Sequence, residues 1–201
     1  MNKGCCVALT GGIACGKSAV ANLWQGWGAD VLDADAVVHE LLAAGGVAVE
    51  AVAAGFGPEA RAADGGIDRA RLGRIVFADA DARRRLEAIV HPEVIRRMRA
   101  WAEGIRRDGR FGVAVVPLLF EADLAAGFDA VVCVVSAEST ILERLASRGL
   151  SPEEARARIA SQWPVGDKAS RADHVIENNG SLAELETKSR ALWNLLMQPG
   201  D

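Results

Sequence analysis

The sequence predicts an α/β fold with a five-stranded, mostly parallel sheet. Three observations lead there. Short apolar runs alternate with helix-patterned stretches along the chain, the order that βα units produce. The first apolar run passes straight into a glycine-rich turn and then a helix, the local pattern at the carboxyl edge of a parallel sheet. The 201 residues are 50% apolar and 25% charged, an ordinary globular composition that argues against disorder and suits one domain with insertions.

The elements follow in order. Cys5 to Thr10 reads as the first strand, and a helix runs from about Lys17 to Gln25. Gly28 to Asp33 is a second short strand. About 75 residues separate it from the third, far more than a crossover needs. Residues 41–110 interleave arginines with apolar positions, as in Arg83 to Val90 and Val94 to Met98, and read as an inserted helical subdomain. Val113 to Leu119 is the third strand, with Pro117 near its end because proline cannot donate to a ladder. Ala130 to Val135 is β-branched and unpunctuated, the clearest strand in the chain. Thr140 to Arg148 is a helix stopped by Gly149. Ser151-Pro152-Glu153-Glu154 starts another, with a capping box and proline at the first helical position. Asp173 to Ile176 is the last strand, and Ser181 to Glu184 caps a helix reaching about Met197. The expected organisation is a single domain over 1–201. Its core comprises about 1–40, 110–140 and 170–201, with insertions at about 41–109 and 141–169.

Composition narrows the function classes. A net charge of −4 and a pI near 5.5 give no global reason to expect nucleic acid as a partner. No run of 18 apolar residues suggests a membrane span, and the N-terminus lacks a signal-peptide pattern, so a cytoplasmic protein is expected. The four cysteines, Cys5, Cys6, Cys15 and Cys133, have neither C-x-x-C nor zinc-ligand spacing and read as free thiols. All but 4 of the 23 basic residues are arginine, a compositional bias typical of GC-rich genomes rather than a functional signal.

Gly11-Gly12-Ile13-Ala14-Cys15-Gly16-Lys17-Ser18 matches G-x-x-x-x-G-K-[ST] in full, in the strand–loop–helix context that the motif requires. Glycines let the backbone approach phosphates closely, successive amides form an anion nest, and the helix N-terminus adds its dipole. Lys17 is expected on the β- and γ-phosphates and Ser18 on Mg²⁺. Cys15 reads as a small filler in the loop. D-x-x-G and N-K-x-D are both absent, and the third strand lacks a terminal aspartate. These absences weigh against a switch or motor NTPase and favour a small-molecule kinase. A non-catalytic nucleotide-binding protein and a kinase of another small acceptor are the competing readings.

A kinase must position its acceptor hydroxyl and take its proton. Asp33 and Asp35 follow the second strand, where alternation in an extended segment sets them on one side. One is a candidate base and the other a candidate orienting group. His39 falls four residues beyond Asp35 and shares its face if the segment is helical. Arg144 and Arg148 are spaced i, i+4 on the predicted helix, and Arg158 and Gln162 repeat that spacing. Arginines in such a segment suit a lid that closes over phosphates.

These residues resemble the dephospho-CoA kinase family over about residues 5–185. The resemblance rests on ordered blocks: Leu9 to Ile13, Gly16-Lys17-Ser18, Asp33-Ala34-Asp35 with His39, Asp64 to Arg69, Leu86 to Pro92, Pro117 to Glu121, Arg144-Leu145 with Arg148, Gln162 with Lys168, and Ala172 to Gly180. It implies a three-layer P-loop kinase fold with a CoA-binding helical insertion and a lid. It implies ATP-dependent phosphorylation of the ribose 3′-hydroxyl of dephospho-CoA, the last step of coenzyme A synthesis, with ATP and Mg²⁺. Neither nucleic acid nor membrane is an implied partner, and the protein is expected as a monomer or weak homo-oligomer. By resemblance, Asp35, Lys17, Asp33 and Arg144 are catalytic, and Gly11 to Ser18, Arg148 and Asn179 bind ATP. Thr10, Asp33, His39, His91, Pro92, Leu118, Phe120 and Glu121 border the acceptor. The chain departs from the family in having Ala14-Cys15 where Gly-Ser is usual, and Ile141 where Gln is common. Ala14 is therefore expected at a negative φ, and Cys15 is a candidate oxidation site beside the phosphates.

Overall fold

The structure, a computed structural model, describes residues 4–198. Strands β1 (Cys5–Gly11), β2 (Asp30–Asp33), β3 (Phe111–Val115), β4 (Ala130–Val135) and β5 (His174–Glu177) form one sheet in the order β2-β3-β1-β4-β5. The ladders β1–β3, β1–β4 and β4–β5 are parallel, with Leu9 beside Val115 on one side and Val132 on the other. The α/β class is as expected. The helices are α1 (Lys17–Gly26), α2 (Ala34–Leu42), α3 (Val49–Phe56), α4 (Arg69–Ala78), α5 (Ala80–Arg107), α6 (Glu138–Ala146), α7 (Pro152–Ala160), α8 (Val165–Ala169) and α9 (Leu182–Leu196). The chain divides into two compact units, one running to Leu32 and resuming at Trp101, the other Asp33–Ala100.

In the first unit, alternation along β1 builds the layers. Val7 and Leu9 pack into a core shared with α1 and α9, whereas Cys6 packs against Ala102 and Ile105 at the end of α5. Every β1 residue after Cys5 is buried, the uninterrupted apolar run of a central parallel strand. An aromatic cluster joins α1, β3 and α9. The ring centroids of Trp24 and Phe111 are 6.1 Å apart and those of Phe111 and Trp193 4.8 Å apart, both edge-on. The Trp24 indole N–H donates to the Ser189 carbonyl at 3.3 Å, so burying this tryptophan leaves no donor unmet.

Most strand and helix bounds move by one or two residues, and the differences in β3, α2 and α6 bear on the site. β3 begins at Phe111 and ends at Val115, two residues before Pro117. Val116 N–H makes the last bond, to Leu9 O, and residues 118–124 turn back on themselves. α2 begins at Ala34, immediately after β2. Asp33 is therefore its N-cap, accepting from the Asp35 and Ala36 amides at 2.8 and 3.4 Å, and strand alternation does not relate Asp33 to Asp35. The cap competes successfully with extension of the strand. α6 ends at Ala146, so Arg148 lies in the following turn rather than on one helical face with Arg144.

The second unit is helical, as expected. Asp68 caps α4 by accepting from Arg71 N–H at 2.9 Å, and Leu41, Val52, Ala60, Ile67, Leu72, Val94 and Met98 are buried. Pro92 lies inside α5, where it removes one backbone donor from the helix. Among the described residues, no helix is long and apolar enough to cross a membrane.

Trp24 is fully buried in the aromatic cluster. Trp24→Ala should cost about 3–5 kcal/mol in urea unfolding monitored by circular dichroism. A loss below about 1 kcal/mol would show that the cluster does not hold α1 and α9 to the sheet.

Candidate active site

The first unit gathers its polar residues at the carboxyl ends of β1, β3, β4 and β5, where parallel sheets open a crevice. Gly11 ends β1 with φ 141°, and a Cβ there would stand 2.2 Å from the Val134 carbonyl oxygen. Gly16 has φ 102°, and its Cβ would meet Asn178 Nδ2 at 2.1 Å. Both ends of the loop thus require glycine. Between them Ala14 takes φ 55°, contrary to the expected negative angle. A left-handed alanine costs roughly 1–2 kcal/mol, so its surroundings must hold it there.

Three successive loop residues are held by side chains from other elements. Ile13 N–H donates to Gln162 Oε1 at 3.1 Å. Arg144 Nη1 donates to Ala14 O at 3.1 Å and to Ser136 Oγ at 3.1 Å, while its Nη2 donates to Asn178 O at 3.0 Å. Asn178 Nδ2 donates to Cys15 O at 2.8 Å. The Ser136 hydroxyl donates to Asn178 O at 2.7 Å, with Cys15 O at 3.3 Å. Lys17 Nζ donates to Gly11 O and Gly12 O at 3.0 and 2.9 Å, which arches its side chain over the loop. α1 opens at Lys17; the Ala19 and Val20 amides donate to Gly16 O at 3.0 and 3.2 Å, and the residues before them stand at the positive N-terminal end of the helix. Ser18 is exposed in that turn.

Cys15 is fully buried, and its thiol titrates above the ordinary range. Burial is the main cause, and the lowering influence of Lys17 does not offset it. Cys133 is pushed up to about 11 and Cys6 to about 12, again chiefly by burial. Cys15 packs into the core, and burial disfavours the thiolate from which the expected oxidation would begin.

An ion pair with a fully buried cation links α8 to the loop after β3. Lys168 on α8 is 0% exposed, and its Nζ reaches Glu121 Oε1 at 2.7 Å and Pro117 O at 2.7 Å. Glu121 Oε1 also accepts from Trp163 N–H at 3.1 Å, while its Oε2 is buried with no hydrogen-bond partner among the described residues. Thr10 is buried and its hydroxyl donates to Pro117 O at 3.4 Å. Leu118 is exposed, Phe120 half-buried, and Leu119 between them fully buried. Asn179 Oδ1 accepts from Ala137 N–H at 2.7 Å, at the start of α6. Arg148 is exposed.

In the second unit, Asp33 and Asp35 are exposed at the start of α2. His39 follows one turn after Asp35, and its Nδ1 is 2.5 Å from Arg69 Nη1. Its Nε2 lies 3.4 Å from the same Arg69 nitrogen, and the guanidinium can only donate. His91 and Pro92 sit midway along α5. The first unit therefore brings Gly11–Ser18 and Arg144 together, and the second brings Asp33, Asp35 and His39 together. Sequence reasoning gave Ser136 no part in the site, whereas Arg69 and Asn178 stood within the blocks that carry the resemblance, the Asn178-Asn179-Gly180 loop being expected near the adenine. Ser136 and Asn178 follow directly on strand ends, the one positional signal that points to them.

A family model described as dephospho-CoA kinase matches residues 5–184. A dephospho-CoA kinase of Symbiobacterium thermophilum is 47% identical over 189 residues, covering 93% of this chain and 79% of that protein. One from Geobacillus kaustophilus is 42% identical over 195 residues, covering 94% and 97%. The crystal structure of TT1252 from Thermus thermophilus superposes with a TM-score of 0.82 at 35% identity, over 98% of this chain and 100% of that one. Shikimate kinase from Acinetobacter baumannii, at 15% identity and a TM-score of 0.55 over 97% and 94% of the two chains, shares the fold.

Ala14→Gly should relieve the left-handed strain and raise stability by up to about 1 kcal/mol, after glycine's larger unfolded-state entropy. A loss in the denaturation midpoint would contradict the strain argument. At neutral pH the folded protein should resist iodoacetamide at Cys6, Cys15 and Cys133, by peptide mass mapping. Rapid labelling of Cys15 would show it to be a reactive thiolate.

Proposed function

The chain belongs to the dephospho-CoA kinase family, and on that premise we propose which of its residues transfer the γ-phosphoryl group of ATP to the ribose 3′-hydroxyl of dephospho-CoA. The observation that carries the reading is the complete phosphate loop, Gly11–Ser18, in a chain matched by the family over residues 5–184. It is a phosphotransferase with an alcohol acceptor. Such chemistry needs little covalent help from the protein, so catalysis rests on positioning and on charge stabilisation.

The loop amides and the first turn of α1 bind the β- and γ-phosphates, and Lys17 balances the charge that develops on the transferred group. The Ser18 hydroxyl is the residue in the loop suited to Mg²⁺. Among the described residues no cluster of three or more acidic, histidine or cysteine side chains is placed to hold a metal. One hydroxyl together with substrate phosphates is a donor set that suits Mg²⁺ in phosphate sites. Ser18 would hold Mg²⁺, which would supply positive charge to offset that of the phosphates. Arg148, with its side chain in solvent, is the lid arginine suited to reach the phosphates, whereas Arg144 acts on them through the loop carbonyl it holds.

Asp35 is the proposed base. Asp33 commits Oδ1 to the Asp35 and Ala36 amides, which supports a positioning part for Asp33, and Asp35 is the residue proposed to accept the 3′-hydroxyl proton. Asp35 lies in the first turn of α2, one turn before His39. His39, held by Arg69, lies one turn beyond Asp35 and is proposed to border the acceptor. His91, Pro92, Leu118, Phe120 and Glu121 are proposed to border the acceptor, and Asn179 the adenine.

Incubation with ATP, Mg²⁺ and dephospho-CoA should yield CoA, detected by mass. Phosphorylation of other small alcohols in its place would overturn the reading. Asp35→Asn should lower kcat by roughly 10²–10⁴-fold with ATP affinity nearly unchanged. Turnover within a few-fold of wild type would remove Asp35 as the base.

A further inference from the structure

Arg144, Ser136 and Asn178 act on carbonyls of the phosphate loop, but Gln162 acts on an amide. It comes from the turn after α7, and its Oε1 accepts from Ile13 N–H at 3.1 Å. That amide precedes Ala14, the one non-glycine residue of the loop at positive φ. The Ala14 carbonyl is held by Arg144 and the Cys15 carbonyl by Asn178. Gln162 therefore grips the strained turn from its N-terminal side, and no other side chain holds the Ile13 amide among the described contacts.

The support behind Gln162 is equally specific. The next residue, Trp163, donates its backbone N–H to Glu121 Oε1 at 3.1 Å. Glu121 is paired with the fully buried Lys168, which also reaches the Pro117 carbonyl. Arg171 stacks over the Trp163 ring with 4.8 Å to its centroid. A buried ion pair is weak evidence of stabilisation, because desolvation offsets its attraction. Here it fixes the backbone beside Gln162 against the loop that follows β3.

We propose that Gln162 is a positioning residue for phosphoryl transfer, registering the Ile13–Ala14 peptide against the γ-phosphoryl group, with Glu121 and Lys168 as its support. The inference rests on the chain's reading as an ATP-dependent kinase. A neutral amide suits the place: its oxygen accepts the Ile13 proton without setting a negative charge beside a triphosphate. Gln162 touches the loop and no reacting atom, so its effect passes through the loop.

The test compares Gln162→Met, similar in size but without the acceptor, with Gln162→Glu, which keeps an acceptor and adds charge. Each is assayed with ATP, Mg²⁺ and dephospho-CoA, and amide hydrogen exchange is followed at residues 12–17. Gln162→Met should lower kcat by roughly ten- to a hundredfold, with a smaller change in ATP KM, and should speed exchange at Ile13. Gln162→Glu should retain slow exchange at Ile13 and raise ATP KM at low salt, an effect that fades as salt screens the charge. Wild-type kcat and exchange in Gln162→Met would overturn the proposal. So would a salt-independent loss in Gln162→Glu equal to that of Gln162→Met. If Gln162→Met fails to fold, Gln162→Glu decides by the same two readouts. If the wild type makes no CoA, the exchange data still test the loop contact, so failure of the functional reading is told apart from failure of the positioning role.

Discussion

A loop that wraps phosphates must turn successive amides inward, and doing so turns carbonyls outward into the protein. Those carbonyls need donors, because an unpaired buried carbonyl costs as much as a lost hydrogen bond. In this chain the donors are side chains. Arg144 serves Ala14, and Asn178 serves Cys15 with Ser136 beside it. Their strength is set by charge and geometry: the guanidinium forks to three acceptors, and the asparagine amide reaches 2.8 Å. The left-handed Ala14 persists because its neighbours on both sides are held.

The topology explains why those donors are available. β1 lies between β3 and β4, and β5 flanks β4. The residues just past β4 and β5, Ser136 and Asn178, therefore come to the loop without any long connection. α6 follows Ser136 directly and delivers Arg144 two turns later. The same arrangement explains how a chain of net charge −4 binds anionic substrates. In the proposed site the attraction is local, supplied by amides, one lysine and placed arginines rather than by the global field.

Much of this was legible in the sequence, for identifiable reasons. The loop motif carries its own context, and the capping boxes at Ser151 and Ser181 form as their spacing predicts. β4 matches its predicted bounds because six consecutive apolar, mostly β-branched residues leave no competing pattern. Errors arose where local signals competed. Asp33 serves as strand end and helix cap at once, and the cap decided the geometry of Asp35. Ala14 depends on backbone conformation, which composition does not reveal. The Gln162–Ile13 contact spans 149 residues and the Asn178–Cys15 contact 163. Neither has a local signature, since such pairs exist only once the sheet has formed.

The central claim is that side chains from α6 and the strand ends hold the phosphate loop in its binding shape. Amide exchange across residues 12–17 in Arg144→Lys, together with calorimetric ATP binding, tests it most directly. A lysine keeps the charge but loses the fork that reaches three acceptors. The account predicts faster exchange confined to the loop and ATP affinity weakened by roughly tenfold or more, with β4 amides still protected. Unchanged loop exchange with wild-type ATP affinity would contradict it.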